Sequence, residues 1–281
     1  MKKLLSLLLA LTLVFSVFAL SSCNKDDSDD KNDSSNNNGN NNGNDNGNDN
    51  NGGNNNGTGN VTADTLAGKT PEQLYELSQT KLAEATSYSI NATQVITMVY
   101  GSEEMAINQT VISTVNGDNT YSKVYSDMGL MDMEVWYVDG MLYSSMGGTK
   151  VKAPMDKDAF MEEYMGTDAS EETLLDIPTS WFSNVKFEKE DTKWVLNFVI
   201  SGDKYNEMFD NIDLGGEIVG DVIYKLYFDD DGNIEKMVTI FDMSIEGVTA
   251  HCDSVSYITI GNVTVTPPAD ADSYTLTSLD Y

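Results

Sequence analysis

Few residues in this chain could do bond chemistry, and their spacing limits what they could do. Of 281 residues, one is His and two are Cys. His251 and Cys252 are adjacent, and on a strand neighbouring side chains point to opposite faces, so they cannot act on each other as base and nucleophile. With no second His, a two-histidine zinc site and any Ser, His and Asp triad that does not use His251 are excluded, and no Gly-x-Ser-x-Gly elbow is present. Cys252 reads as a small strand residue rather than a reactive thiol. Asp229-Asp230-Asp231-Gly232-Asn233 has the oxygens for calcium, but EF-hand spacing would put Tyr227 at the first ligand position, so the run reads as a hairpin turn. Gly68-Lys69-Thr70 ends like a phosphate loop, yet Ala63 stands where that loop needs Gly and no strand precedes it. The carboxylates are many, but without geometry none can be assigned as a catalytic pair. The expectation is no catalytic residue, no metal and no cofactor, in a chain that is not an enzyme.

Methionine is the richer signal. Eight of the 14 lie between Met128 and Met165, including Met128, Met131 and Met133 in one short run. Three readings compete: soft thioether ligands for Cu(I), plain core packing, and a flexible lining for an apolar ligand of imprecise shape. Met131, Met133, Val135 and Tyr137 alternate onto one strand face, with Asp132, Glu134, Trp136 and Val138 on the other. Core and cavity demand the same residues.

Lys2 and Lys3 precede Leu4 to Leu20, where 14 of 17 residues are apolar, the pattern of a secretory signal. Leu20-Ser21-Ser22-Cys23 follows and resembles a bacterial lipobox, which implies that Cys23 takes a diacylglyceryl group through its sulfur and becomes the first residue of the mature chain. Two acyl chains anchor stably where one binds marginally. Asn24-Lys25-Asp26-Asp27 resembles the lysine-then-acidic signal that sends some Gram-negative lipoproteins to the outer surface, but its low-complexity setting favours the start of a solvated linker. From Asn24 to Asn60, 17 residues are Asn and seven are Gly, with no aliphatic or aromatic side chain. Such a segment cannot offset its ordering entropy by burial, and as a coil it would reach about 33 Å root-mean-square.

Net charge is -29, and all 16 basic residues are lysine. Lacking the guanidinium fork, the chain is not expected to bind nucleic acid. The linker carries seven Asp and two Lys, so most of the acidity belongs to residues 61–281. A domain so charged is repelled by anionic lipid and wall polymers.

Those residues must position whatever the chain binds. Thr70-Pro71-Glu72-Gln73 is a capping box opening a helix to about Ala85. The period then switches from 3.6 to 2 with Tyr88, Ile90, Ala92, Ile96, Met98 and Tyr100. Turn signals separate strands near 104–115, 120–127, 131–138 and 141–146. A polar helical insert follows from near Asp156, carrying Phe160, Met161, Tyr164 and Met165, and stops at Pro178. Strands resume at Val185 and Phe187 and at Trp194 to Ile200. A short helix through Tyr205, Met208, Phe209 and Ile212 comes next, then strands at Val222 to Phe228, 234–246, 248–260 and 263–266. The spacing predicts an α+β chain, mainly antiparallel β. About ten or eleven strands in one sheet should curl into a half-barrel, with the helices covering its concave face. Each half reads as a helix followed by strands, which hints at a weak duplication.

Ala85-Thr86-Ser87-Tyr88-Ser89-Ile90 leading into a long strand, then Tyr137-Val138-Asp139-Gly140 and Leu142-Tyr143, together with the lipobox and linker, resemble uncharacterised cell-surface lipoproteins of Gram-positive gut bacteria. These in turn are similar to the LolA and LppX-like fold, a curled half-barrel closed by helices. The likeness covers most of residues 70–270, and its motifs mark no catalytic residue. It implies three regions: a signal peptide over 1–22, a lipidated Cys23 with its tether to 60, and a single β-rich domain over 61–281. It also implies an extracytoplasmic protein, anchored to the cell membrane through Cys23, whose half-barrel binds a lipid or acyl chain. The residues expected to line that ligand are Met98, Met131, Met133, Tyr137, Tyr143, Phe160 and Tyr164. The alternative expectation is a non-enzymatic structural or protein-interaction module of the envelope, marked by an exposed apolar patch.

Overall fold

The computed structural model describes residues 66, 68–100, 103–128, 132–160, 177–208, 216–245 and 248–277. The leader, Cys23 and the tether lie outside them, as do Met131, Tyr164 and most of the polar insert. Among the described residues no helix is long and apolar enough to cross a membrane.

The first helix, α1 (Pro71–Ala83), starts where its cap dictates. The Gln73 N–H donates to Thr70 Oγ1 at 3.3 Å and the Thr70 N–H donates back to Gln73 Oε1 at 3.0 Å, which satisfies two donors that a helix N-terminus otherwise leaves free. The Glu84 N–H closes the last turn onto the Thr80 carbonyl.

Among the described residues twelve strands follow in one sheet. β1 (Ser87–Tyr100), β2 (Glu103–Asn116), β3 (Asn119–Ser126), β4 (Met133–Val138), β5 (Met141–Met146) and β6 (Thr149–Pro154) form a first meander. β7 (Ser183–Glu190), β8 (Lys193–Ser201), β9 (Glu217–Phe228), β10 (Ile234–Ile245) and β11 (Val248–Ile260) form a second. β1 and β11 pair antiparallel from Tyr88↔Ile260 to Val99↔Thr249 and join the two. The order is β12-β6-β5-β4-β3-β2-β1-β11-β10-β9-β8-β7, with β12 (Thr275–Leu276) parallel to β6 at one end. The sheet is curled and unclosed, as the strand count requires.

Two differences from the sequence reading concern the edge. Residues 263–266 are not a strand; the chain leaves the sheet at Gly261, passes Pro267 and Pro268, and pairs only at β12. β6 is an additional strand, whose only alternating apolar residues are Val151 and Ala153 among Thr, two Lys and Pro, and which is held by its pairing with β5 from Met141↔Pro154 to Met146↔Thr149. The Asp139-Gly140 turn behaves as expected: both residues have positive φ, 51° and 77°, which matches the twist of the strands they connect.

Alternation divides the sheet into two faces. The inner face carries Tyr88, Ile90, Ala92, Ile96 and Met98 of β1, all buried, with their partners on β2 and β11. Each of the three α-helices among the described residues packs on this face. Leu74 and Tyr75 of α1 join Phe198, Leu226 and Phe228 in the main core, and Leu82 joins Tyr88, Ile90 and Val115. Phe160 of α2 (Lys157–Phe160) lies over Tyr137, and Tyr205 of α3 (Gly202–Met208) joins the main core. Along β8 and β9 the filling is aromatic: Phe182, Phe198 and Tyr224 stack in succession, with centroids 3.9 and 5.0 Å apart.

On the outer face, the segment after β11 runs back to β6. Tyr274 meets the edges of Trp136 (6.3 Å) and Tyr143 (5.6 Å), Lys150 pairs with Asp270, and Lys152 Nζ donates to the Ala271 carbonyl at 2.8 Å.

Candidate functional site

The inner face can be read as rows, each made of residues directly opposite one another on successive strands. One row is polar. Ser126 on β3 faces Gln109 on β2, which faces Gln94 on β1, Ser254 on β11, Thr239 on β10 and Tyr224 on β9. All six are buried; Gln94 and Gln109 are each 2 % exposed and Ser126 is 3 % exposed. On one side lies an apolar row of Ile107, Ile96, Cys252 and Phe241. On the other, Val124, Val111 and Ala92 form a small cluster of their own, separate from the main core, and the same row continues through Met133 to Met146.

The polar row is incompletely paired. Gln94 Nε2 donates to Gln109 Oε1. Gln94 Oε1, Gln109 Nε2 and Ser126 Oγ are buried and have no hydrogen-bond partner among the described residues. A buried polar atom left in this state costs about 1–3 kcal/mol, and native interiors rarely leave one unmatched. At the β9 end, Tyr224 sits beside the Tyr205 hydroxyl of α3; burial pushes Tyr205 up to about 12 and raises Tyr224 well above its ordinary value. No member of the row ionises near neutral pH. On β1, β2, β3 and β11 every inner-facing side chain from Tyr88 to Met98, with its register partners, is uncharged.

The lining residues expected from the sequence divide. Met98 (3 % exposed), Met133 and Tyr137 all face inward. Met98 sits opposite Met105 on β2 and Ala250 on β11, and Met133 opposite Val124 and Met146, where 36 % and 63 % exposures of Met133 and Met146 place them at an open part of the face. Tyr137 and Phe160 stack at 4.5 Å within a closed cluster with Val135, Leu142 and Met155, and Tyr137 Oη donates to the Met155 carbonyl at 3.3 Å. Tyr143 faces outward: its register partner is Trp136, and it packs on Tyr274. Met131 and Tyr164 lie outside the described residues. The Asp229 run forms the β9–β10 turn, with the Asp229 carboxylate accepting from the Asn233 N–H and side-chain amide at 2.8 and 2.7 Å. Among the described residues no group of three His, Cys, Asp or Glu side chains is placed to hold a metal ion.

The sequence profile of DUF6612, a family of unknown function, matches residues 70–214, from the cap of α1 through β8 and α3. The chain belongs to this family. For DUF6612, the matched stretch thus includes Gln94, Gln109 and Ser126 but ends before β9, β10 and β11. No curated protein matches the sequence. Among solved structures, the chain is similar to LprF from Mycobacterium bovis at 14 % identity, covering 71 % of this chain and 97 % of that one with a TM-score of 0.34. It is also similar to a LolA superfamily protein from Nitrosomonas europaea at 10 % identity, covering 70 % and 96 % with a TM-score of 0.26. A DUF1329 family protein from Desulfovibrio piger matches at 12 % identity, over 67 % and 90 %, with a TM-score of 0.23.

Proposed function

We propose that this chain is a lipid-anchored, extracytoplasmic protein whose curled sheet holds a hydrophobic ligand, a lipid or an acyl chain, against the inner face of β1, β2 and β3. The observation that carries this reading is the uncharged inner face of these strands, with the separate Ala92, Val111 and Val124 cluster and the methionines Met133 and Met146 open beside it. Apolar burial at about 25 cal/mol per Å² can hold an alkyl chain there without a unique polar anchor. Cys23 supplies the membrane attachment in this reading, and the Asn and Gly tether sets the working distance. The reading includes no bond-making step.

A protein-docking role for the outer face is supported less well. Its exposed Val95, Val219, Ile223 and Tyr257 are interleaved with His251, Asp242, Asp253 and Lys236 rather than joined in one patch.

The full chain carrying Cys23→Ser, which takes no acyl anchor, tests the ligand reading. N-phenyl-1-naphthylamine should bind it saturably with enhanced fluorescence, and Met133→Lys, at a position exposed enough to tolerate the charge, should weaken that binding about tenfold. Absence of saturable binding would end the proposal. For the anchor, cells fed labelled palmitate should label the wild-type chain and not the Cys23→Ser chain.

A further inference from the structure

The row of polar side chains suggests which class of molecule the inner face takes; this inference rests on the ligand-binding reading above. Ser126, Gln109, Gln94, Ser254 and Thr239 stand side by side on five neighbouring strands; on β1 and β2 the next inward residues on either side are Ile96 and Ile107 in one direction and Ala92 and Val111 in the other. A sheet that needed only a hydrocarbon lining would have no use for two glutamines here. The single bond from Gln94 Nε2 to Gln109 Oε1 consumes one donor and one acceptor. It leaves an acceptor, Gln94 Oε1, a donor, Gln109 Nε2, and a hydroxyl, Ser126 Oγ, without partners among the described residues. These three atoms on the neighbouring strands β1, β2 and β3 match a group that both donates and accepts hydrogen bonds. The apolar rows on either side match the chain attached to it. Among the described residues no lysine or histidine faces this part of the sheet, so a carboxylate or phosphate would be desolvated with no counter-charge from them.

We propose that Gln94, Gln109 and Ser126 form a polar subsite for an uncharged amphiphile, an acyl chain bearing a hydroxyl together with an ester or amide, and that they select it over a fatty-acid anion. The probe for this class is 1-monopalmitoylglycerol, compared with palmitate at pH 8, each displacing N-phenyl-1-naphthylamine from the full chain carrying Cys23→Ser. The monoacylglycerol should displace the dye at about tenfold lower concentration than palmitate, the size expected of one or two net hydrogen bonds. In Gln94→Leu/Gln109→Leu that preference, with each displacement scaled to the dye's own affinity for the variant, should fall to about twofold or less. Ser126→Ala, a smaller change, should lower the preference about threefold; it decides the matter if the double variant loses its near-ultraviolet circular dichroism. If the dye does not bind the parent chain, the ligand reading falls and this inference with it. If the dye binds but palmitate competes as well as the monoacylglycerol, or the preference survives in a folded variant, the ligand reading stands and the polar subsite is overturned.

Discussion

His251 stands directly opposite Asp242 in the β10–β11 ladder with its Nδ1 2.6 Å from the Asp242 carboxylate, and Asp253, on the same face, comes within 3.4 Å of Nε2. The hydrogen bond to Asp242 is the largest influence; burial, the next, opposes it, and the fields of Asp253 and Asp242 add to it, so that the His251 pKa is raised above its ordinary 6.5. A folded-state pKa raised in this way adds stability that is fully present below pH 6.5 and is lost as the pH climbs through the higher folded value. His251 is about half exposed, so the gain is small, of the order of a few tenths of a kcal/mol. As the chain has one His, its ring resonances titrate alone in an NMR spectrum. The midpoint should lie above 6.5 and move back toward it in Asp242→Asn; a wild-type midpoint at or below 6.5 would contradict the ladder geometry.

Cys252 faces the opposite way from His251, into the core beside Ile96 and Phe241, and is fully buried. Burial pushes its thiol up to about 12, so almost none is thiolate at neutral pH, and the thiolate is the reactive form. In the Cys23→Ser chain, Ellman's reagent should find no thiol at pH 8 until denaturant is added, and then one. Stoichiometric reaction of the native chain would show that the β10–β11 core is open.

Gly202 begins α3 where that helix folds back on β9. A Cβ there would run into the Gly220 carbonyl oxygen and lie 3.2 Å from Ile218. Backbone cannot move aside as a side-chain tip can, so Gly202→Ala should lose about 1–3 kcal/mol in urea unfolding. Gly147→Ala is the control: its turn is open, and only the strain of its positive φ opposes the change. Equal losses at both positions would mean that α3 does not press on β9.

Tyr274 is 4 % exposed although it belongs to an irregular tail. Its ring fills the angle between Trp136 and Tyr143, and Lys150 lies 5.5 Å from its centre. Tyr274→Ala should therefore cost about 3 kcal/mol and, by exposing Trp136, shift tryptophan emission to the red. A loss below about 0.5 kcal/mol, the range of ordinary surface changes, would show that the tail adheres weakly.

Alternation made most of the sheet legible from the sequence. β2, β5 and β11 fall within a residue of their expected ends, because apolar residues alternate there between clear turn signals. β6 was not legible, since Lys150 and Lys152 lie on its outer face and its inner face offers only the two apolar residues Val151 and Ala153, beside Thr149. Tyr143 joined the expected lining by its aromatic type, yet strand parity places it with Trp136, outward. The polar row left a trace that residue type concealed: Tyr88, Ile90, Ala92, Ile96 and Met98 alternate with one gap, at Gln94. Only pairing could reveal that Gln109, Ser126 and Ser254 stand opposite that gap.

An open sheet keeps two free edges, and each is a template on which another copy of the chain could add a strand. Here neither is offered. The tail lays Thr275 and Leu276 along β6, and the Thr277 N–H donates to the Lys152 carbonyl at 2.8 Å. At the far end β7 is bent by an irregularity between Ser183 and Lys186 and carries Lys186, Glu188, Lys189 and Glu190. The short strap that ends the described chain thus works as a stopper against edge-to-edge polymerisation. Wherever many copies crowd on one surface, trimming those last residues would be expected to yield fibres or swapped dimers before it yielded an unfolded protein.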